Sequence, residues 1–281
     1  MTANSPVLQL PDVTLVCVDT RTPELALAAM SRCLAGIRFA DALLFTDTAR
    51  SGAPPAGIRA IDLRIESVAE YSHFMLRGLA TYLRTSHLLV VQWDGFVLDP
   101  SAWQDEFLRY DYIGAPWHDR PPSHSVGNGG FSLRSARLLQ ALLDPLIQPS
   151  HPEDLCICEE FRQRLEQEHG LRFAPYELAR QFAFERLAPS ACSFGFHGLF
   201  NFHRVLSAAE LNAFVIGLPD TMLAALDGHD LCRSLISSGQ LNTAALILDK
   251  RRRLGMRDRR TLRLQVLLWL ARRGWTPAPK E

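Results

Sequence analysis

Short apolar runs alternate with helix-like segments along the first hundred residues. An uninterrupted apolar run is typical of a strand that is buried on both faces of a sheet. Between these runs, one helix is predicted from Pro23 to Gly36, and the capping pair Ser67 and Glu70 predicts the start of another. The predicted strands are Val13–Val18, Ala42–Phe45, a short segment near 58–63, and Leu88–Val91. The order β-α-β-β-α-β indicates an α/β sheet with helices on its faces.

The middle of the chain continues the alternation less regularly. Helices are predicted over 103–110, from Ser135 to Leu143, and from Pro152 to His169, with Gly170 closing the last of them. Residues 171–174 and 181–185 are predicted as short strands. The polar stretch 118–125, broken by two prolines, predicts a surface loop.

The pattern changes near Arg204. Beyond it, five amphipathic segments are separated by glycine or proline, and no strand is predicted. We therefore predict two domains, an α/β domain over residues 1–204 and a helical C-terminal domain over residues 205–281.

Composition narrows the class of protein. The 281 residues carry 30 Lys and Arg against 30 Asp and Glu, so bulk charge predicts no general affinity for nucleic acid or an anionic membrane. We expect no signal peptide and no transmembrane segment. The six scattered cysteines are typical of reduced thiols, so we expect a cytoplasmic protein. The basic run Lys250–Arg253 either contacts a polyanion or forms a solvated helix face.

The stretch Leu88–Leu98 (LLVVQWDGFVL) carries the first candidate for chemistry. A buried strand cannot hold an unpaired carboxylate in its middle, so Asp94 is expected where the strand leaves the core. Ligands of open α/β sheets bind at that carboxyl end. The segment also matches half of the nucleophile loop of haloacid-dehalogenase-like phosphatases. There, however, Gln92 occupies the nucleophile position, and an amide cannot form an acyl-phosphate.

Five sequence blocks, in order along residues 12–202, carry a resemblance. They are QWDGFVLDPSAW, YDYIGAPW, VGNGGFSLRS, PEDLCICEE and FGFHG. The chain resembles a family of bacterial proteins assigned to the GT-A glycosyltransferase superfamily, in which a buried strand ends in D-x-D. This implies a GT-A (Rossmann-like) mixed sheet flanked by helices, with the all-α appendage outside the resemblance.

The resemblance also implies site residues. Asp94 and His197 would hold a divalent metal, Mn²⁺ or Mg²⁺, on the diphosphate of a nucleotide-sugar, which would neutralise the leaving group. Asp154, with Glu153 beside it, would remove the proton of the acceptor hydroxyl in an inverting reaction. Further donor contacts would come from Asp19, Thr20, Arg77, Gln92, and the glycine-rich turn Gly127, Asn128, Gly129 and Gly130, where glycine would supply positive φ and room for the sugar.

Each of these residues also fits a structural role. Asp94 could cap the turn at Gly95, His197 could be a core histidine, and Arg77 could be a surface charge. The glycines could form only a tight turn, and the 153–154 pair could favour a helix N-terminus.

Gln92 replaces the first Asp of D-x-D, which removes a charge from the expected metal site. The leading interpretation is a glycosyltransferase that acts on a glycan, lipid-linked or protein acceptor, with a possible protein partner for the helical tail. The alternative is a catalytically degenerate GT-A domain that binds a sugar nucleotide or glycan and docks a protein through its tail.

Overall fold

The computed structural model describes residues 7–275. The chain forms two compact units, Met1–His197 and Gly198–Glu281. Their boundary lies slightly before residue 204, where the amphipathic pattern begins.

The first unit contains both strands and helices. Its strands are β1 (Leu8–Val18), β2 (Ile37–Thr46), β3 (Arg59–Asp62), β4 (His87–Val91), β5 (Tyr112–Gly114), β6 (Phe131–Ser135), β7 (Ala183–Phe184) and β8 (Gly195–Phe196). Its helices are α1 (Pro23–Leu34), α2 (Thr48–Ser51), α3 (Val68–His73), α4 (Ala136–Ala141), α5 (Glu153–Leu155), α6 (Arg162–Gln167) and α7 (Tyr176–Phe182).

A six-stranded mixed sheet, in the order β3-β2-β1-β4-β6-β5, forms the centre of this unit. β1 to β4 are parallel, whereas β6 is antiparallel to both β4 and β5. Every residue of β4 and the last six residues of β1 are buried, as the continuous apolar runs predict. The predicted fold class is therefore confirmed: a mixed α/β sheet flanked by helices, followed by an all-α segment.

The register aligns the carboxyl ends of the central strands. Cys17 of β1 lies opposite both Leu44 of β2 and Val91 of β4. The residues that follow β1 and β4 consequently emerge at the same edge of the sheet, which is where open α/β sheets bind ligands.

Some predicted elements are shorter than expected. The helix predicted from Pro152 to His169 consists of α5, a π-helical turn over Cys156–Glu160, and α6. The strand predicted over 171–174 contributes one isolated bridge, between Phe173 and Tyr112. The strand predicted over 181–185 is reduced to β7, because its first two residues complete α7.

The second unit is helical throughout its described part. It contains α8 (Phe202–Val205), α9 (Ala208–Gly217), α10 (Leu226–Ser237), α11 (Leu241–Arg253) and α12 (Arg259–Ala271). Buried leucines and isoleucines of α10, α11 and α12 form its core. Within residues 7–275, no helix combines the length and the apolar character needed to cross a membrane.

The basic run on α11 differs from both sequence interpretations. Lys250 and Arg251 are buried, and they donate hydrogen bonds to the carbonyls of Ile216 and Leu223, respectively. Buried cations need such partners because an unpaired charge is costly inside a protein. The next two residues form ion pairs, Arg252 with Asp249 and Arg253 with Asp220. The run therefore mainly holds the helices together.

Candidate functional site

A cleft of about 510 Å³ lies at the carboxyl ends of β1 and β4. Its volume is in the range of small-molecule sites. Its lining comes from the segment after β1, from the start of α3, from the turn before β6 and from the start of α5. The lining residues are Val18, Asp19, Thr20, Arg21, Ile65, Ser67, Val68, Tyr71, Gln92, Trp93, Trp117, Asn128, Gly129, Gly130, His151, Pro152, Glu153, Asp154, Glu185 and His197.

His197 lies at the centre of a charged cluster on the floor of this cleft. Its Nε2 is 3.3 Å from Asp94 Oδ1 and 3.1 Å from Gln92 Oε1. Its Nδ1 is 3.2 Å from Glu185 Oε1. The two carboxylates thus contact opposite nitrogens of one ring, an arrangement that favours the doubly protonated imidazolium.

The pKa values of the cluster agree with that charge state. Burial alone would lower the pKa of His197, but the adjacent carboxylates of Asp94 and Glu185 outweigh burial and hold it well above its usual value. For Glu185, burial would raise the pKa, yet the hydrogen bond and charge of His197 lower it. The His197 imidazolium is therefore paired with a carboxylate at each of its two nitrogens.

A short two-stranded sheet positions His197. β8 pairs in parallel with β7, and Gly195 also bridges to Val97 in the segment that follows Asp94. Phe194, directly before β8, packs in a cluster with Phe107, Phe131 and Phe182, with ring centroids 5.3–6.3 Å apart. Aromatic packing in the core thus fixes the histidine against the end of β4.

Gln92 is held on both sides of its amide. Its nitrogen donates to Tyr71 Oη at 2.9 Å, and its oxygen faces His197 Nε2. Burial raises the pKa of the Tyr71 hydroxyl, so this group stays protonated. Gln92 therefore bridges Tyr71 and the imidazolium, and it also lines the cleft.

The two residues that the resemblance assigns to a divalent metal, Asp94 and His197, contact each other. A metal ion held wholly by protein needs three or more donors that converge on one point. Mg²⁺ or Mn²⁺ on a diphosphate needs only one or two protein carboxylates, because phosphate oxygens and water complete its shell. Among residues 7–275, no group of three or more His, Cys, Asp or Glu side chains is arranged to hold a metal ion. Asp94 and Glu185 instead contact opposite nitrogens of His197 directly.

Glu153 and Asp154 are neighbours with different surroundings. The Glu153 carboxylate is buried and lies 3.0 Å from Nη2 of Arg134, whose side chain is 0% exposed. Asp154 accepts hydrogen bonds from the backbone N–H groups of Gly129 at 3.1 Å and Leu155 at 2.9 Å.

These surroundings decide which acid can accept a proton. Burial, and then the negative charge of Glu153, raises the pKa of Asp154, although its two backbone donors and Arg134 oppose the rise. A raised pKa makes a carboxylate a stronger base at neutral pH. Asp154 is therefore better suited to the role of base than Glu153, whose charge is already paired.

The glycine-rich turn differs from its predicted role. The positive φ expected of its glycines belongs to Asn128, at 63°. A Cβ on Gly129 would come within 2.2 Å of Glu153 Oε1, and one on Gly130 within 2.1 Å of His197 Nε2. These two glycines therefore leave room for the protein's own site residues. Gly127 is outside the cleft lining, and a Cβ there would collide with the Trp117 ring.

Arg77 does not reach the cleft, which corrects its predicted phosphate contact. Its guanidinium donates to the backbone carbonyls of Leu142, Asp144 and Ile147. Those carbonyls come directly after α4, where helix ends leave acceptors without partners. The arginine that does line the cleft is Arg21, directly after the end of β1.

Asp19 and Thr20 line the cleft with side chains that the fold already uses. Asp19 Oδ1 accepts from the backbone N–H groups of Arg21 and Thr22, at 2.8 and 2.7 Å. Thr20 Oγ1 donates to the carbonyl of Ile65. Their contact with a nucleotide stays a prediction, and it would involve the backbone of the turn more readily than these side chains.

Sequence reasoning missed Glu185, Arg21 and Tyr71. Glu185 directly follows β7, so it carries the same signal as Asp94, an acid at the end of a strand. That signal was hidden because β7 has only two residues. Tyr71 is at a position typical of a helix core and carries no motif.

Comparisons with known proteins give one matching family model and a distantly similar solved structure. Residues 58–197 match the model of a family described as "Protein of unknown function (DUF5672)". No curated protein matches the chain. Among solved structures, the chain is similar to the crystal structure of a glycosyltransferase involved in the glycosylation of the major capsid of PBCV-1. That likeness has a TM-score of 0.39 and 12% sequence identity, over 66% of this chain and 91% of the other.

Proposed function

We propose that this protein is a glycosyltransferase that moves a sugar from a nucleotide-diphosphate sugar to a hydroxyl acceptor. The observation that supports this most is a single cleft lined by both a candidate base, Asp154, and a half-buried histidine, His197, which contacts Asp94 and Glu185. Sugar transfer needs a group that accepts the acceptor's proton and a group that stabilises the negative charge of the leaving diphosphate.

His197 is the proposed contact of the diphosphate. Its imidazolium is held by Asp94 and Glu185, so its orientation is fixed before a ligand arrives. Such preorganised charge stabilises a transition state without reorganisation. Arg21 lies in the same lining and would add a second positive charge. A divalent metal held by Asp94, which would neutralise the leaving diphosphate, stays a prediction.

Asp154 is the proposed base. In an inverting displacement, the acceptor oxygen forms a bond to the anomeric carbon while the bond from that carbon to the diphosphate oxygen breaks. The hydroxyl proton passes to the Asp154 carboxylate, and the electron pair of the broken bond leaves with the nucleoside diphosphate. Glu153 would act through the pKa of Asp154, because its charge is paired with Arg134.

The acceptor would lie near Trp117, which lines the cleft and follows the β5 segment. Aromatic rings bind the apolar faces of sugars while their polar edges stay solvated. Trp117 therefore supports a glycan as the acceptor.

A binding module without catalysis is the second candidate. It is favoured because Gln92, which replaces the first Asp of D-x-D, has both polar atoms of its amide in contact with protein groups. In this case the cleft would recognise a sugar nucleotide or glycan, and the helical tail would dock a protein.

A donor panel separates these functions. UDP- and GDP-sugars would be titrated against the chain by calorimetry, and the release of nucleoside diphosphate would be measured with Mn²⁺ and with a chelator. We expect one donor class to bind and to be hydrolysed slowly without an acceptor. Binding without hydrolysis or transfer to any acceptor would favour the binding module. A panel in which nothing binds would contradict both functions.

A further inference from the structure

Helix α12 has two apolar faces, of which only one is covered. Thr261, Leu264, Leu268 and Ala271 are buried where the helix packs on α10 and α11. On another side, Leu262, Val266 and Trp269 are 49%, 57% and 55% exposed.

The exposed residues form one stripe. Their spacing of four and then three residues aligns them along a single side of an α-helix. Single exposed apolar residues are common, but an aligned set marks a surface that binds something. Trp275, just beyond the helix, is also 50% exposed.

Arginines surround this stripe. Arg259 and Arg263 project from the same half of the helix, and Arg272 and Arg273 follow its end. The Arg273 guanidinium lies 3.4 Å from the centroid of the Trp269 ring. Within the described chain, the structure records no ion pair for Arg259, Arg263 or Arg272. Their charge is therefore available to an external partner.

The charge of the chain is segregated, although its sum is zero. Residues 198–281 contain 13 Lys and Arg against 7 Asp and Glu, and the rest of the chain has the opposite excess. The balanced total, which predicted no membrane affinity, therefore hides a basic helical unit.

We propose that the exposed face of α12 binds the surface of an anionic lipid membrane, with the helix lying in the plane of the interface. Tryptophan, leucine and valine would enter the boundary of headgroups and acyl chains, while the arginines would bind lipid phosphates. Arginine side chains beside an apolar stripe can reach outward to headgroups while their stems cover hydrocarbon. A basic helix that exposes tryptophan and aliphatic residues has the composition of helices that lie in the membrane interface.

The test is co-flotation of the full chain with vesicles of phosphatidylcholine alone, or of an equal mixture of phosphatidylcholine and phosphatidylglycerol. We expect binding to the anionic vesicles that is about tenfold or more tighter than to neutral ones, and that weakens in high salt. Val266→Glu should weaken anionic binding by about tenfold or more, because it places a negative charge in the stripe. The matched control is Ile216→Glu, which alters an apolar residue on α9 that is 59% exposed and should leave binding unchanged.

A second measurement does not depend on how well the glutamate variant folds. Brominated lipids in the anionic vesicles should quench part of the tryptophan fluorescence of the wild-type chain. The double variant Trp269→Phe and Trp275→Phe, which keeps most of the apolar area, should lose most of that quenching and retain flotation. Equal flotation of wild type and Val266→Glu, or no flotation with anionic vesicles, would overturn the proposal. So would a dimer in size-exclusion chromatography that Val266→Glu abolishes, since a second copy would then cover the stripe.

Discussion

The turn after β1 and the start of α5 both line the cleft, and each contributes carboxylates to it. After β1, the Asp19 carboxylate is occupied by two backbone N–H groups and the Thr22 hydroxyl. At the start of α5, Glu153 forms an ion pair with Arg134. Asp154 lines the cleft and has a raised pKa. An acid at the end of a strand or the start of a helix is therefore available for chemistry only where no neighbouring group already neutralises its carboxylate.

The two regions differ in how far along the chain the partners of their carboxylates lie. The partners of Asp19 lie two and three residues away, so its carboxylate accepts hydrogen bonds within its own turn. Glu153 is neutralised by a residue of β6, which is 19 positions away. Asp154 has only backbone donors, and these lower the pKa of a carboxylate less than the burial and Glu153 raise it.

The largest effect is expected for Asp154→Asn. Removing the base should lower the turnover number by about 10²–10⁴-fold, because general base catalysis contributes about that much. The affinity for the donor, measured by calorimetry, should stay within about twofold, since the variant keeps the shape of the side chain. Near-normal turnover in Asp154→Asn would exclude it as the base.

The next effect concerns stability and Glu153. Glu153→Ala leaves the charge of the fully buried Arg134 without its partner, so the free energy of unfolding should fall by about 3–5 kcal/mol. Denaturant unfolding followed by circular dichroism measures this. Asp154→Ala serves as the matched control, with a loss of about 1 kcal/mol. Equal losses in the two variants would contradict the contrast between these neighbours.

A smaller loss is expected at the other turn. Asp19→Ala removes acceptors from the backbone at the start of α1, which should cost about 1 kcal/mol, as for other capping residues. The same unfolding experiment applies. A loss as large as that of Glu153→Ala would show that the Asp19 carboxylate does more for stability than accept hydrogen bonds within its own turn.

The smallest effect is a shift in pH dependence. The base must be ionised, so activity rises as pH passes the pKa of Asp154. Since the charge of Glu153 raises that pKa, Glu153→Gln should move the acid limb of the turnover profile to lower pH. Glu177→Gln, on an exposed side chain of α7, is the control and should leave the limb in place. An unchanged limb in Glu153→Gln would argue against coupling of the two acids.

Continuous apolar runs predicted the central strands correctly, because burial on both faces leaves a pattern that sequence alone shows. The aligned strand ends then explain why Asp94 and His197 meet, although 103 positions separate them. The roles of these residues at a ligand stay predictions.

What the sequence could not supply was the partner of each polar group. The carbonyls that bind Arg77 lie 65 to 70 positions away from it, and the buried cations of α11 find carbonyls more than 25 positions away. The glycines before β6 leave space for His197 and Glu153, which only their position in the fold reveals. Partners of this kind depend on tertiary contacts and leave no local pattern.

The most direct test of the central claim is a crystal structure of the chain soaked with UDP or GDP. We predict density for the diphosphate in the cleft, within hydrogen-bond distance of the His197 imidazole. The Asp154 carboxylate should face the space beside the diphosphate that the transferred sugar would occupy. A nucleotide bound elsewhere on the chain, with the cleft empty at saturating concentration, would contradict the account.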